Sequence, residues 1–208
     1  MAGRGARCED ARVTNKELRP RLRAERAAIT MPHDERSQRL ADAVLAHPAV
    51  ATLPAGSWVT CYSSYRDEPP TRLLLQRLCD AGLHVLVPAV RGPHLHWHDV
   101  TGEVDDPRAW TEDSYGIPCP ATPEVATSPA ELLAMGVRVI CTPGLGMERS
   151  GARVGQGGGY YDRFFADVPR HSDGGPFRLG ITHFGGLLPD GTIEVRAWDQ
   201  PVDDVIEG

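Results

Sequence analysis

Leu73, Leu74, Leu75 and Leu78 fall at helical spacing inside residues 71–80, and the run 84–90 behind them, HVLVPAV, is almost wholly apolar. The 3.6-residue repeat predicts a helix with one face on a core. A short apolar run between turn residues predicts a buried strand. The run 57–62, ending at Ser63 and Ser64, supplies a strand ahead of this helix, and Gly82 closes the helix, so the three segments form a βαβ unit. Upstream, Thr14 and Glu17 make a capping box for a first helix with Leu18 and Leu22 as its apolar stripe. Pro32 breaks the chain, and a second helix opens at Asp34 with Leu40, Val44 and Leu45 at helical spacing, ending near His47 and Pro48. Downstream, 95–100 predicts an antiparallel strand, 129–135 a short helix and 178–183 another strand. Residues 101–127, rich in Pro, Asp and Thr, read as an extended excursion over the sheet.

The β-branched run Val137, Val139, Ile140 stops at Thr142-Pro143-Gly144. Seven glycines follow from Gly144 to Gly159, ahead of a helix opening near Tyr160 with Tyr161, Phe164 and Phe165 on it. Glycine lets main-chain N–H groups turn towards a ligand without a Cβ in the way, and a helix start adds unpaired N–H groups, so phosphate is the expected guest. No Gly-Lys-Ser/Thr follows, so this is not a P-loop. Arg153 is the nearest fixed cation, and Asp162 stands where a phosphate-bound Mg²⁺ can be met.

Charge and composition narrow the picture. A formal net charge of −6 argues against a nucleic-acid or anionic-membrane partner, and no apolar run approaches the length of a membrane span. Residues 1–14 lack the hydrophobic centre of a signal peptide, so the expected location is the cytoplasm. The length fits one domain over 14–208 behind a flexible leader at 1–13, expected to be a monomer. The five cysteines are scattered with no C-x-x-C pair, which predicts free thiols rather than a disulfide framework or a zinc knuckle. Lys16 is the only lysine, so any lysine chemistry must use it.

Three charged groupings have two readings each. Arg19, Arg21, Arg23 and Arg26 form a solvated helix face or reach a polyanion. His94, His96 and His98 share one face at period two, as the polar outside of an edge strand or as metal ligands. Asp199 and Asp203 are an acidic tail or part of the ligand end. Glu68 sits past the carboxyl end of a strand, where ligands collect in open α/β sheets.

In this order, Leu18-Arg19, Asp67-Glu68-x-x-Thr71, Pro143-Gly144-Leu145-Gly146, the stretch from Gly151 through Gly159-Tyr160-Tyr161-Asp162-Arg163, and Asp199-x-x-x-Asp203 resemble the 5-formyltetrahydrofolate cyclo-ligase family. The resemblance implies a three-layer α/β/α sandwich, Rossmann-like, with a mostly parallel central sheet and an antiparallel edge. It implies ATP- and Mg²⁺-dependent conversion of 5-formyltetrahydrofolate to 5,10-methenyltetrahydrofolate. In the mechanism that the resemblance implies, the formyl oxygen would attack the γ-phosphate, N10 would close the ring, and phosphate would leave. Nucleotide would lie on Asn15, Lys16, Arg19, Arg153, Val154, Gly155, Gln156, Gly157, Gly158, Gly159, Tyr160 and Tyr161. Folate would meet Glu68, Met147 and the segment Gln156, Gly157, Gly158, Gly159, Tyr160. Arg153 and Tyr160 would stand at the reacting groups, and Asp162 and Asp199 would hold Mg²⁺.

The sequence departs from the family pattern in places. Asn15 stands where the family has lysine, Met147-Glu148 where it has Phe-Asp, and Cys119 where it has glutamate; Gln156 and Trp198 are further changes. A rebuilt pocket leaves open a relative that activates another formyl or amide substrate with ATP, and the missing lysine leaves open a nucleotide-binding module without turnover.

Overall fold

The computed structural model describes residues 13–208, so the expected leader lies outside the described residues except for Val13. The elements are α1 (Asn15–Ala27), α2 (His33–Ala46), α3 (Pro48–Ala51), β1 (Trp58–Thr60), α4 (Arg72–Asp80), β2 (His84–Arg91), β3 (His94–Asp99), β4 (Trp110–Glu112), β5 (Pro118–Pro120) and β6 (Glu124–Ala126). They continue with α5 (Pro129–Ala134), β7 (Val139–Pro143), β8 (Gly146–Glu148), β9 (Arg153–Val154), α6 (Tyr160–Ala166), β10 (Phe177–Thr182), β11 (Leu187–Leu188) and β12 (Asp204–Glu207).

Seven strands form the main sheet in the order β12-β10-β7-β1-β2-β3-β6. The five from β12 to β2 are parallel, and β3 runs antiparallel to both β2 and β6. Alternation along each strand supplies two apolar faces. Val85 and Val87 of β2 and Val139 and Cys141 of β7 join Leu40, Val44, Leu74, Leu75 and Leu78 of α2 and α4 on one face. Leu86 and Ile140, one residue out of phase, join Leu132 of α5 and Phe164 and Phe165 of α6 on the other. Three layers result, as expected.

Helix α1 belongs to neither layer. Its Leu18 and Leu22 pack on Leu145, Val154 and Leu188, from the small sheet β11-β8-β9 and its approach. That sheet grows out of the carboxyl end of β7, so α1 is held over the end of the main sheet where the parallel strands finish. Arg178 of β10 fixes α6 from below. It is fully buried, stacks on Phe165 with 4.3 Å to the ring centroid, and donates to Val168 O at 2.7 Å. Burial lowers its pKa to about 10, which still leaves it charged.

The structure departs from the expected elements in three places. The excursion at 101–127 carries the β4–β5 hairpin and β6; strands of three residues, two of them prolines in β5, show no alternation to read. Because β6 covers β3, the histidine strand is not at the edge of the sheet. The last residues are not a tail: β12 pairs in parallel with β10.

Candidate active site

A cavity of about 1410 Å³ opens at the carboxyl ends of β1 and β7. Its rim is the segment from β9 into α6. Gly157 (φ +105°) and Gly159 (φ +66°) adopt backbone angles that side chains resist, and Gly159 is the residue at which α6 begins. Helix α1 supplies the facing wall. Arg19 Nε donates to Gly155 O at 2.9 Å, and Arg23 donates to the side chain and the carbonyl of Gln156 at 3.0 and 3.4 Å. Arg26 is buried and binds both oxygens of Asp67, at 3.1 and 3.2 Å. Part of the basic face of α1 therefore reaches the rim and the clasp: Arg26 is buried and Arg19 half-buried, Arg23 is exposed but bonded to Gln156, and Arg21 pairs with Glu25 on the outside. Spacing of i, i+4, i+7 put Arg19, Arg23 and Arg26 on one side of the helix, a signal readable in the sequence.

Arg153 reaches across the rim to Asp162 Oδ1 at 2.7 Å, and Gln200 N–H donates to the same oxygen at 3.2 Å. Both contacts fall on Oδ1, leaving Oδ2 for another partner. Asp199 takes Arg196 N–H on Oδ2 at 2.8 Å, which leaves its Oδ1. Arg153 Nε and Tyr161 Oη are buried donors without partners, in residues that line the cavity. Arg19, Arg23, Arg26, Arg66, Arg153, Arg163 and Arg196 all line the cavity, in a protein whose net charge is −6.

The floor beyond β1 is a loop clasped at both ends: Ser64 N–H donates to Thr71 Oγ1 at 2.9 Å, and Thr71 N–H to Ser64 Oγ at 3.2 Å. The clasp presents Glu68, whose Oε2 accepts Tyr65 N–H at 3.1 Å. Burial raises the Glu68 pKa above the ordinary 4.5 in spite of that bond and the nearby Arg26. On the far rim Tyr160 Oη meets Tyr115 Oη at 2.9 Å. Tyr115 sits at the tip of the β4–β5 hairpin, where Asp113 Oδ1 accepts the N–H groups of Tyr115 and Ile117 at 2.8 and 3.0 Å. Asp-x-x-Gly at 113–116 is a turn signal that points to this tip, but nothing local says that the turn reaches Tyr160.

The cavity gathers Asn15, Arg19, Glu68, Arg153, Val154, Gly155, Gln156, Gly157, Gly158, Gly159, Tyr160, Tyr161, Asp162 and Asp199. It does not gather Lys16, which is exposed on α1 outside the lining. One residue of helix is about 100° of rotation, and the inward position goes to Asn15, whose amide exchanges two hydrogen bonds with the Glu194 backbone at 2.7 and 3.1 Å. Met147 is also absent from the lining: it is fully buried against Val202 and Val205. Glu148 beside it accepts from Gly191 N–H and Ile193 N–H, at 3.0 and 2.5 Å, which orders the approach to Arg196. Cys119 is buried outside the lining as well.

Asp203 accepts Arg178 N–H at 2.7 Å at the start of β10 and so serves the sheet. His96 binds Glu124 at 2.8 Å and His98 binds Thr122 O at 2.6 Å, contacts that join β3 to β6 and its approach. No group of three or more His, Cys, Asp or Glu suited to a metal occurs among the described residues.

Fold and site together define an α/β protein with a large, arginine-lined cavity where its parallel strands end. A family model described as the 5-formyltetrahydrofolate cyclo-ligase family matches residues 11–208. The 5-formyltetrahydrofolate cyclo-ligase of Mus musculus is 26% identical over 191 residues, spanning 91% of this chain and 89% of its own. That of Mycolicibacterium smegmatis is 32% identical over 117 residues, 52% and 55% of the two chains. The solved 5,10-methenyltetrahydrofolate synthetase of Aquifex aeolicus superposes with a TM-score of 0.68 at 22% identity, covering 93% of this chain and 89% of its own. A Mycoplasma pneumoniae 5,10-methenyltetrahydrofolate synthetase gives 0.64 at 16%, covering 93% and 98%. At such identities these two structures speak for the fold. The chain belongs to the 5-formyltetrahydrofolate cyclo-ligase family. Its reaction is the ATP-dependent conversion of 5-formyltetrahydrofolate to 5,10-methenyltetrahydrofolate. None of its described helices is long and apolar enough to cross a membrane.

Proposed function

We propose that the cavity performs this cyclisation by holding two polyanions so that the formyl oxygen of one meets the γ-phosphorus of the other. The observation that carries this reading is the lining itself, where Arg19, Arg23, Arg153 and Arg163 meet the glycines at 155, 157, 158 and 159 at the start of α6. Arg153, with Val154, Gly155, Gln156, Gly157, Gly158, Gly159, Tyr160 and Tyr161, cradles the triphosphate, and Arg19 adds charge from α1. Catalysis is then positioning and electrostatic stabilisation. The formyl oxygen takes the γ-phosphoryl group and ADP leaves; the N10 lone pair attacks the activated carbon, N10 gives up its proton, and the C–O bond breaks to release phosphate. Glu68 faces the folate from the β1 side, where a carboxylate accepts an N–H of the ring or of N10. Tyr160 stands where the two substrates meet.

Mg²⁺, held by the free oxygens of Asp162 and Asp199 together with phosphate oxygens and water, would supply charge neutralisation at the transferred group. One or two carboxylates plus phosphate is the usual way that ion is bound, and each of these two carboxylates keeps an oxygen for it. Met147 and Cys119, two of the changes that suggest another substrate, lie away from the cavity, which favours the folate. The same reading makes residues 14–208 one domain, monomeric and cytoplasmic; the free thiols of Cys61, Cys79, Cys119 and Cys141 fit a reducing compartment.

The test is the absorbance of the methenyl product with Mg-ATP and 5-formyltetrahydrofolate. Product that forms with the wild type and disappears in a folded Arg153→Ala supports the proposal. Undiminished product in that variant contradicts it.

A further inference from the structure

Among the described residues, two large aromatic side chains are strongly exposed, Tyr115 at 58% and Trp198 at 65%, and both line the cavity. The reaction brings two flat heterocycles to this cavity, the adenine of ATP and the pteridine of the folate. An exposed ring is the surface on which such a heterocycle stacks.

Trp198 is not needed to hold its own segment. Residues 191–200 are tied down by Glu148 to Gly191 and Ile193, by Asn15 to Glu194, by Arg196 N–H to Asp199 and by Gln200 N–H to Asp162. Those ties also locate the indole. It stands one residue before Asp199 and two before Gln200, which touches the Asp162 bound to Arg153, so it belongs to the phosphate end. Tyr115 is carried by the hairpin that packs on β2 and touches Tyr160, on the Glu68 side of the sheet order. The Arg196 guanidinium lies over the Trp198 ring, 5.8 Å from its centroid, and both side chains line the cavity with the indole still 65% exposed. A guanidinium behind the indole stiffens it and places positive charge near a nucleotide's phosphates.

We propose that Trp198, backed by Arg196, is the stacking platform for the nucleobase of ATP and gives the site a preference for purine nucleotides. This inference rests on the triphosphate cradle proposed above, and the experiment separates the two. Affinities for Mg-ATP, Mg-CTP, tripolyphosphate and 5-formyltetrahydrofolate are measured on the full chain as wild type, Trp198→Ala and Trp198→Phe.

Stacking predicts that Trp198→Ala weakens ATP about 5- to 50-fold. Trp198→Phe should keep ATP within about threefold, and tripolyphosphate and folate should be unchanged in both variants. The preference for ATP over CTP shrinks in Trp198→Ala, and the quench of tryptophan fluorescence by ATP in the wild type is lost in Trp198→Phe. Unchanged ATP affinity in Trp198→Ala overturns the proposal. So does an equal loss of tripolyphosphate, or a loss that falls on the folate instead. A wild type that binds neither tripolyphosphate nor ATP overturns the cradle, and this subsite with it.

Discussion

On the α2/α4 side of the sheet, Leu40, Val44, Leu74, Leu75 and Leu78 close over Val59, Val85, Val87 and Val139 in a dry apolar layer. At the carboxyl end, α1 meets the glycine rim through Arg19 to Gly155 O, Arg23 to Gln156 and Arg26 to Asp67. The first region is held by contacts that nothing else can supply. In the second, several contacts join donors to acceptors that a polyanion can replace, and Arg153 Nε has none to give up. If the proposed site is right, stability is concentrated in one region and chemistry in the other, and the two should respond to substitution in different quantities.

The sharpest separation comes from Arg153→Ala. It should lower kcat/KM about 10²- to 10³-fold, read from methenyl formation, a loss far larger than the fall in stability from breaking its pair with Asp162 can explain while the protein stays folded. Leu74→Ala, in the dry layer, should do the reverse: about 2–5 kcal/mol of stability lost by denaturant titration, with the KM values of the folded fraction unchanged. A Leu74→Ala protein that keeps its stability but loses ATP affinity would break the comparison.

Glu68 belongs to both quantities. Burial raises its pKa in the folded state, so folding favours its protonated form: that contribution to stability is present at low pH and is lost as pH rises through the folded value, leaving a cost at neutral pH. Glu68→Gln should therefore raise the thermal midpoint at pH 7 while lowering kcat/KM for the folate by about tenfold. In the wild type the acid limb of kcat/KM should have its midpoint above 4.5, and the limb should flatten in Glu68→Gln. The smallest effect is expected at the mouth. Tyr115→Phe removes one hydrogen bond to Tyr160 and should raise the KM for the folate about two- to tenfold, with no change in stability.

The dry layer was legible because a leucine repeat and apolar runs obey the periods of helix and strand, and the seven glycines marked the rim for the same kind of reason: a local feature with a local cause. Other parts depended on distant partners. Lys16 and Asn15 differ by one step of helix: Asn15 shares the buried face of Leu18 and Leu22 and is bound by the distant Glu194 backbone, which leaves Lys16 outside. Met147 stands in a motif next to the loop, yet Val202 and Val205, from the far end of the chain, draw it into a core. Tyr115 lies in a hairpin of three-residue strands that shows no alternation, so its meeting with Tyr160 had no signature of its own.

The central claim is that residues 153–161 hold a triphosphate through Arg153 and the main chain. Calorimetric titration of the wild type and Arg153→Ala with tripolyphosphate and with Mg-ATP tests it most directly. The account predicts saturable binding of both by the wild type and a loss of at least tenfold for both in the variant. Equal binding by the two proteins, or none by the wild type, would contradict it.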